Sequence, residues 1–411
     1  MFKPVATILR SELEGRWERC RHHLQRLRPE AGGLLVFSRV LIYWLSGHFA
    51  NGALWLPLEG EPVLLVRKGR ERAEMESPLE DIASFRSFKE IPGVLADMGQ
   101  ALPDTVAVDM SSLSWELGQG LAQKIPNCAF VPGDGALMRA RAVKSDWELH
   151  LMRLAGKRHD FVLRQRLPER IRPGMSEWEV ASITLQEFVE QGHQCINRVT
   201  GPGEEFFLGS FAAGDSGNYP TVISGPVGVR GMHPAAPEMG YAGKVWQQGE
   251  VLVADTMFFL EGYHTDKTQV YFAGSQGALP GQAGEAFAFC RELLQAMAER
   301  LKPGAVPAEI YDYAAGQAGQ HGWSEGFMGL GENKVPFVGH GIGLFVDDFP
   351  PLTGKLKEPL QENMTLALEP KVGLPGLGMV GVEDTFVVTP EGGRSLSGEE
   401  RDMISIESGS G

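Results

Sequence analysis

The chain runs to 411 residues, too long for one ordinary hydrophobic core, so two domains are expected. Hydrophobic residues make up 43% and charged residues 22%, the balance of a water-soluble globular protein, and a formal net charge of −14 argues against a nucleic-acid partner, which would want a basic face. No apolar run reaches membrane-spanning length, Met1-Phe2-Lys3-Pro4 opens no signal-peptide core, and Cys20, Cys128, Cys195 and Cys290 lie far apart, so a cytoplasmic protein with reduced thiols is expected.

Residues 5–27 are charged, with Ile8, Leu9, Leu13, Trp17, Leu24 and Leu27 near helical spacing, which predicts a helix. Residues 33–37 read as a buried strand, 40–47 as a second apolar block, and 53–57 and 61–66 as two strands joined by a Pro-Leu-Glu-Gly turn. Residues 105–109 form another strand, with Ser111 or Ser112 placed to cap the helix that follows. Strands alternating with helices imply an α/β domain over residues 1–140, in which Tyr43, Trp44 and His48 read as packing and loop residues.

A linker helix over 141–167 opens the second domain, with Ser145 as N-cap and Asp146 and Glu148 in its first turn, where negative charge suits the helix dipole. An internal repeat follows. Arg172-Pro173-Gly174 and Lys302-Pro303-Gly304 are basic-Pro-Gly turns that each feed a helix, the first with a Ser176/Glu179 capping box and the second with Pro307 in its opening turn. Downstream, Gly249 and Asn363, both tolerant of positive φ, each precede a strand that delivers an acid six positions later, Asp255 and Glu369. Two related halves predict a pseudo-symmetric α+β catalytic domain over 168–400 with a site between the halves. Residues 401–411 read as a tail, its Ser-Gly-Ser-Gly end disordered.

The chemistry centres on residues 249–274. Two β-rich runs meet at Glu261-Gly262, which predicts a hairpin with residue 257 facing residue 266. Asp255 and Asp266 then share a face as a diagonal pair, either on a solvent-facing side of the sheet or around a cation that relieves their repulsion. The second half adds His340 in the glycine-rich run 337–344, and Glu383 in the strand 379–388, whose interior seldom keeps an unpartnered acid. Asp384 alternates to the opposite face. Asp255, Asp266, His340, Glu369 and Glu383 make four oxygen donors and one imidazole, too anionic a set to bury without about two divalent ions, and one suited to Mn²⁺, Fe²⁺ or Co²⁺.

The order of these residues, with their GHGIGL, ALEP and VED settings, resembles the pita-bread metallopeptidase family, which includes Xaa-Pro aminopeptidase, prolidase, methionine aminopeptidase and the metal-free creatinase. The segment 34–49 and the linker 142–148 resemble the N-terminal domain of the creatinase and prolidase branch. The resemblance implies an α+β pita-bread catalytic domain with duplicated αβ halves, preceded by a smaller α/β creatinase-type domain. It implies two divalent ions, with Mn²⁺ expected and Co²⁺, Fe²⁺ or Zn²⁺ as the other candidates. Asp255 would chelate one ion, Asp266 and Glu383 would bridge, and His340 and Glu369 would hold the second. Glu369 would also shuttle the proton, and His233 would contact the substrate. A homodimer is implied as well.

Four departures from the family pattern bear on the substrate. Asp347 stands where a second histidine is usual, Gly381 and Gln269 where arginines are usual, and Met257 where a glycine is expected. These remove hydrogen-bond donors beside the expected oxyanion, worth roughly 2–4 kcal/mol of transition-state stabilisation if not replaced, while Asp347 could pair with a cationic substrate group. The leading expectation is a dinuclear hydrolase of an N-terminal Xaa-Pro peptide bond. The rivals are a hydrolase of a small non-peptide C–N substrate, such as an amide, and a non-catalytic binding protein.

Overall fold

The computed structural model describes residues 3–201 and 205–407, so the Ser-Gly-Ser-Gly end lies outside the described residues. The chain divides into two compact units, Met1–Arg141 and Ala142–Gly411.

In the first unit the predicted amphipathic segment folds as α1 (Arg10–Leu27), which buries Leu13, Trp17 and Leu24. Strands β1 (Gly33–Val36), β2 (Asn51–Pro57), β3 (Val63–Lys68), β4 (Ile82–Ser84), β5 (Thr105–Val108) and β6 (Ala129–Pro132) form one mixed sheet in the order β4-β3-β2-β1-β5-β6. Helices α2 (Arg39–Ser46), α3 (Arg70–Glu76), α4 (Ile91–Asp97), α5 (Trp115–Lys124) and α6 (Asp134–Ala142) complete the unit. The apolar block around Trp44 is the helix α2, stopped by Gly47 in the left-handed region at φ 77°. The cap of α5 is Ser114, not Ser111 or Ser112. Those two serines are held by acids instead: Ser112 Oγ donates to Asp109 Oδ2 at 2.6 Å, and Ser111 Oγ to Asp134 Oδ1 at 2.5 Å. Trp44 is buried, and His48 Nδ1 lies 2.7 Å from Glu76 Oε2, a packing and loop role as expected.

The second unit opens with α7 (Asp146–Phe161), capped reciprocally by Ser145 and Glu148, and continues through a wider π-helical turn, Val162–Arg166. α8 (Glu177–Glu190) carries the Ser176/Glu179 capping box. Strands β7 (Gly209–Ala213), β8 (Val251–Leu260) and β9 (Tyr263–Ala273) precede helices α9 (Gly281–Ala298) and α10 (Pro307–Gln320). The chain ends with β10 (Gly339–Gly341), β11 (Thr365–Leu368), β12 (Lys371–Leu374), β13 (Gly378–Gly381), β14 (Asp384–Thr389), β15 (Gly392–Ser395) and β16 (Ile404–Ile406). They build a sheet β16-β9-β8-β7, a sheet β10-β11-β14-β15 and a two-stranded ribbon β12-β13. Part of the segment read as a tail is therefore in a sheet: β16 pairs with β9 in parallel, Ser405 opposite Phe272.

The internal repeat has a backbone counterpart. Gly174 and Gly304 take φ 99° and 89°, and their amides donate at 2.8 Å to Trp246 O and Leu360 O. Those carbonyls sit just ahead of Gly249 (φ 88°) and Asn363 (φ 64°), the turn residues that lead into β8 and β11. In both halves a Pro-Gly turn is thus tied to the start of an acid-bearing strand. One apolar cluster gathers α9 and α10 against β11, β12 and β13, and another gathers α7 and α8 against β7 and β8.

Candidate metal centre

The β8–β9 hairpin turns at Glu261 and Gly262, both at positive φ, and the register places Met257 opposite Asp266 and Asp255 opposite Thr268. Asp255 and Asp266 are the diagonal pair on one face that the spacing predicts. Glu369 follows the end of β11, Glu383 immediately precedes β14, and His340 lies on β10 opposite Ala367. The two halves are stitched together beside the acids, Thr268 N donating to Glu383 O at 3.2 Å and Asp266 N to Thr385 Oγ1 at 2.9 Å. All five expected side chains converge.

His340 Nε2 lies 3.6 Å from Glu369 Oε1, 3.9 Å from Asp266 Oδ2 and 4.0 Å from Glu383 Oε1. Its Nδ1 lies 3.1 Å from Gly341 O, and a carbonyl only accepts, so Nδ1 carries a proton and Nε2 is the ring nitrogen turned to the acids. The Thr268 hydroxyl lies 2.7 Å from Asp255 Oδ1 and 3.0 Å from Glu383 Oε2 and, having one proton, donates to one at a time.

A residue that sequence reasoning missed sits in the middle of this cluster. Lys371 is fully buried, and its Nζ is 2.6 Å from Glu383 Oε2, 3.1 Å from Glu369 Oε2 and 3.4 Å from Asp255 Oδ2. Two residues past Glu369 in extended chain, it shares that acid's face, a signal that alternation could have supplied. Its register partner is Gly381. A Cβ at 381 would lie 2.7 Å from Lys371 Cγ and 2.6 Å from Pro370 O, so the missing side chain leaves the lysine its passage.

The charges act on one another. Burial pushes the Asp266 carboxyl up to about 7, helped by the neighbouring Asp255 charge. Burial, then Asp266, drives Glu383 well above the usual carboxylate range. Burial alone would raise Asp255, but the Lys371 ammonium together with hydrogen bonds from Glu383, Thr268 and Lys371 outweighs it and holds that carboxyl below its ordinary value. Burial opposes the charge on Lys371, and Asp255, Glu383 and Glu369 outweigh it, so its pKa is raised well above the usual value.

The donor set fits one divalent ion on the His340 side. Ligands about 2.1 Å from one ion stand roughly 3.0–4.2 Å apart, and the three separations from His340 Nε2, 3.6, 3.9 and 4.0 Å, fall inside that range. Among the described residues one group of three, Asp266, His340 and Glu383, offers ligand atoms all within 4.8 Å of one another. On the Asp255 side the oxygens surround an ammonium at hydrogen-bonding and ion-pairing distances.

The remaining expected residues lie elsewhere. His233 is exposed on a turn closed by Ala235 N donating to its Nδ1 at 3.1 Å. Asp347 accepts from Thr200 N and Thr200 Oγ1, each at 2.7 Å, and so holds the loop before the undescribed residues 202–204. Asp384 faces away from the centre, as alternation predicts, and is bound by Lys267 and Arg401. Gln269, opposite Ala254 in the register and so on the other face of β9 from Asp266, accepts from Arg164 Nη1 at 2.9 Å.

The chain is similar to several known proteins. The probable dipeptidase PepE of Mycobacterium tuberculosis is 28% identical over 271 residues, covering 66% of this chain and 62% of that protein, less than two thirds of the relative's length. The Xaa-Pro dipeptidase of Pyrococcus furiosus is 23% identical over 373 residues, 90% of this chain and 94% of that one. In fold, the chain is similar to the solved structure of the Xaa-Pro dipeptidase from Bacillus anthracis, with a TM-score of 0.77 at 20% identity over 96% of this chain and 99% of that one. Residues 16–143 match the creatinase/prolidase N-terminal domain and residues 150–390, more than half of the chain, match metallopeptidase family M24, to which the chain therefore belongs.

Proposed function

We propose that the chain hydrolyses the N-terminal peptide bond of short peptides with the help of divalent metal, Xaa-Pro dipeptides being the first substrates to try, since relatives carry that activity in their names. The observation that carries this reading is the convergence of Asp255, Asp266, Glu369, Glu383 and the Nε2 of His340 from separate segments of the chain. A bound ion would polarise the scissile carbonyl and lower the pKa of water at the site. Asp266, His340, Glu369 and Glu383 would hold it, with Mn²⁺ expected and Co²⁺, Fe²⁺ or Zn²⁺ as alternatives.

Glu369 is assigned the proton work: it takes a proton from the attacking water and delivers it to the departing amine. Its carboxylate faces His340 with one oxygen and Lys371 with the other, which restricts its rotation. His233, whose Nδ1 accepts from Ala235 N, keeps its proton on Nε2 and can donate it to a substrate oxygen. Asp347 shapes the substrate side by positioning Thr200. A homodimer and a cytoplasmic location complete the reading.

Incubation of Mn²⁺-loaded protein with Xaa-Pro dipeptides is expected to release free proline. Glu369→Ala should lower kcat by about 10²–10⁴-fold, the usual worth of a general acid–base. If a broad peptide panel stays intact at confirmed metal occupancy while a small amide or amidino compound turns over, the peptide substrate is wrong and the non-peptide C–N reading replaces it.

A further inference from the structure

We infer that the Lys371 ammonium takes the place of one of the two cations expected at this centre, so that the chain binds a single divalent ion, on the His340 side. The inference rests on the reading of the carboxylate cluster as a metal centre and adds to it the number and position of the ions.

Three observations carry it. First, the oxygens divide between two poles. Glu369 and Glu383 each turn Oε2 to Lys371, at 3.1 and 2.6 Å, and Oε1 to His340 Nε2, at 3.6 and 4.0 Å. Asp255 joins the lysine pole at 3.4 Å and Asp266 the histidine pole at 3.9 Å. An ammonium has three donors and no acceptor, and three carboxylates surround this one. It therefore sits where an ion chelated by Asp255 would have to sit.

Second, the lysine is built in. Its side chain is fully buried, it starts β12 opposite Gly381, and any side chain at 381 would collide with Lys371 Cγ or Pro370 O. The absence of an arginine at 381, taken alone a lost donor, is the space that the Lys371 stem fills.

Third, charge disfavours an ion at the lysine pole, where a dication placed beside the fully buried Lys371 ammonium would be repelled at close range.

The test is metal stoichiometry on the full-length chain, stripped with a chelator, dialysed against Mn²⁺ and analysed for bound metal, with titration calorimetry as a second count. The wild type is expected to saturate at one Mn²⁺ per chain and to give the six-line resonance of an isolated ion. His340→Ala should lose that ion, and Asp255→Asn should keep it, because Asp255 faces the ammonium. Lys371→Ala, folded by circular dichroism, should take up two.

Two ions in the wild type overturn the inference and leave the metallohydrolase reading standing. Loss of the ion in Asp255→Asn with retention in His340→Ala also overturns it, because the ion would then lie on the wrong side. No ion in the wild type overturns both the inference and the metal reading beneath it. If Lys371→Ala does not fold, the wild type and the two ligand variants decide the matter by themselves.

Discussion

Asp266 carries the clearest pH signature of any side chain at the centre. Its ordinary value is 3.8 and burial, with Asp255 beside it, lifts it to about 7. Between those two values the metal-free folded chain keeps a proton that the unfolded chain has released. The contribution to stability is complete below about 4 and is lost as the pH rises toward about 7, a sign opposite to that of a salt-bridged aspartate. The melting temperature of metal-free wild type relative to Asp266→Asn is therefore expected to fall across that window, read by calorimetry in a pH series. An equal slope in both proteins would show that Asp266 does not hold the proton. The acids themselves were legible from sequence because a carboxylate in a β-rich run stands out against its apolar neighbours. Lys371 was not, because a lysine reads as surface until its face and its partner across the ribbon are known.

Between neighbouring elements, the hairpin and the ribbon differ in how far pattern specifies them. The β8–β9 register follows from the Glu261-Gly262 bend and the position of Asp255 and Asp266, and the structure has that register. The β12–β13 ribbon is short and carries four glycines, Gly373, Gly376, Gly378 and Gly381, and the run 379–388, read as one strand, splits into β13 and β14 of different sheets, so the pairing of Lys371 with Gly381 was not legible. The Ser111/Ser112 cap failed for a related reason. The neighbouring Asp109 and the distant Asp134 hold those two hydroxyls in a short 3-10 turn, and α5 begins only at Trp115, behind Ser114. At this scale Gly381→Ala is the informative substitution. Its Cβ would sit 2.6 Å from a backbone carbonyl, and forcing it in should cost about 1–3 kcal/mol, as overpacking does. A lowered urea midpoint at unchanged slope would register that cost. An unchanged midpoint would mean that the ribbon yields easily and that Lys371 is less confined than its burial implies.

Across the whole molecule, the chain's two units have separate cores. One is built on Leu35, Trp55 and Val106, and the others on residues such as Phe211, Phe258, Leu294 and Leu366. The two-domain expectation came from length alone, and the duplication from short matched segments whose turns later proved to make the same hydrogen bonds. A ligand that binds only the folded second unit stabilises only that unit. At a free concentration a hundredfold above its Kd, Mn²⁺ should add about 2.7 kcal/mol to it. Differential scanning calorimetry is expected to show two transitions, with Mn²⁺ moving the one that belongs to residues 142–411. A lone transition that shifts as a block would show that the two units unfold together.

The strand β16 has an outcome of its own. Lying along the outer flank of β9, it covers backbone groups that the acid-bearing hairpin would otherwise offer to any passing chain. Trimming the polypeptide ahead of residue 401 strips that cover and also takes away Arg401, which clasps Asp384. Shortened forms should thus clump in storage before their chemistry is touched, and a tag meant for this end needs a spacer long enough to leave the final β pairing undisturbed.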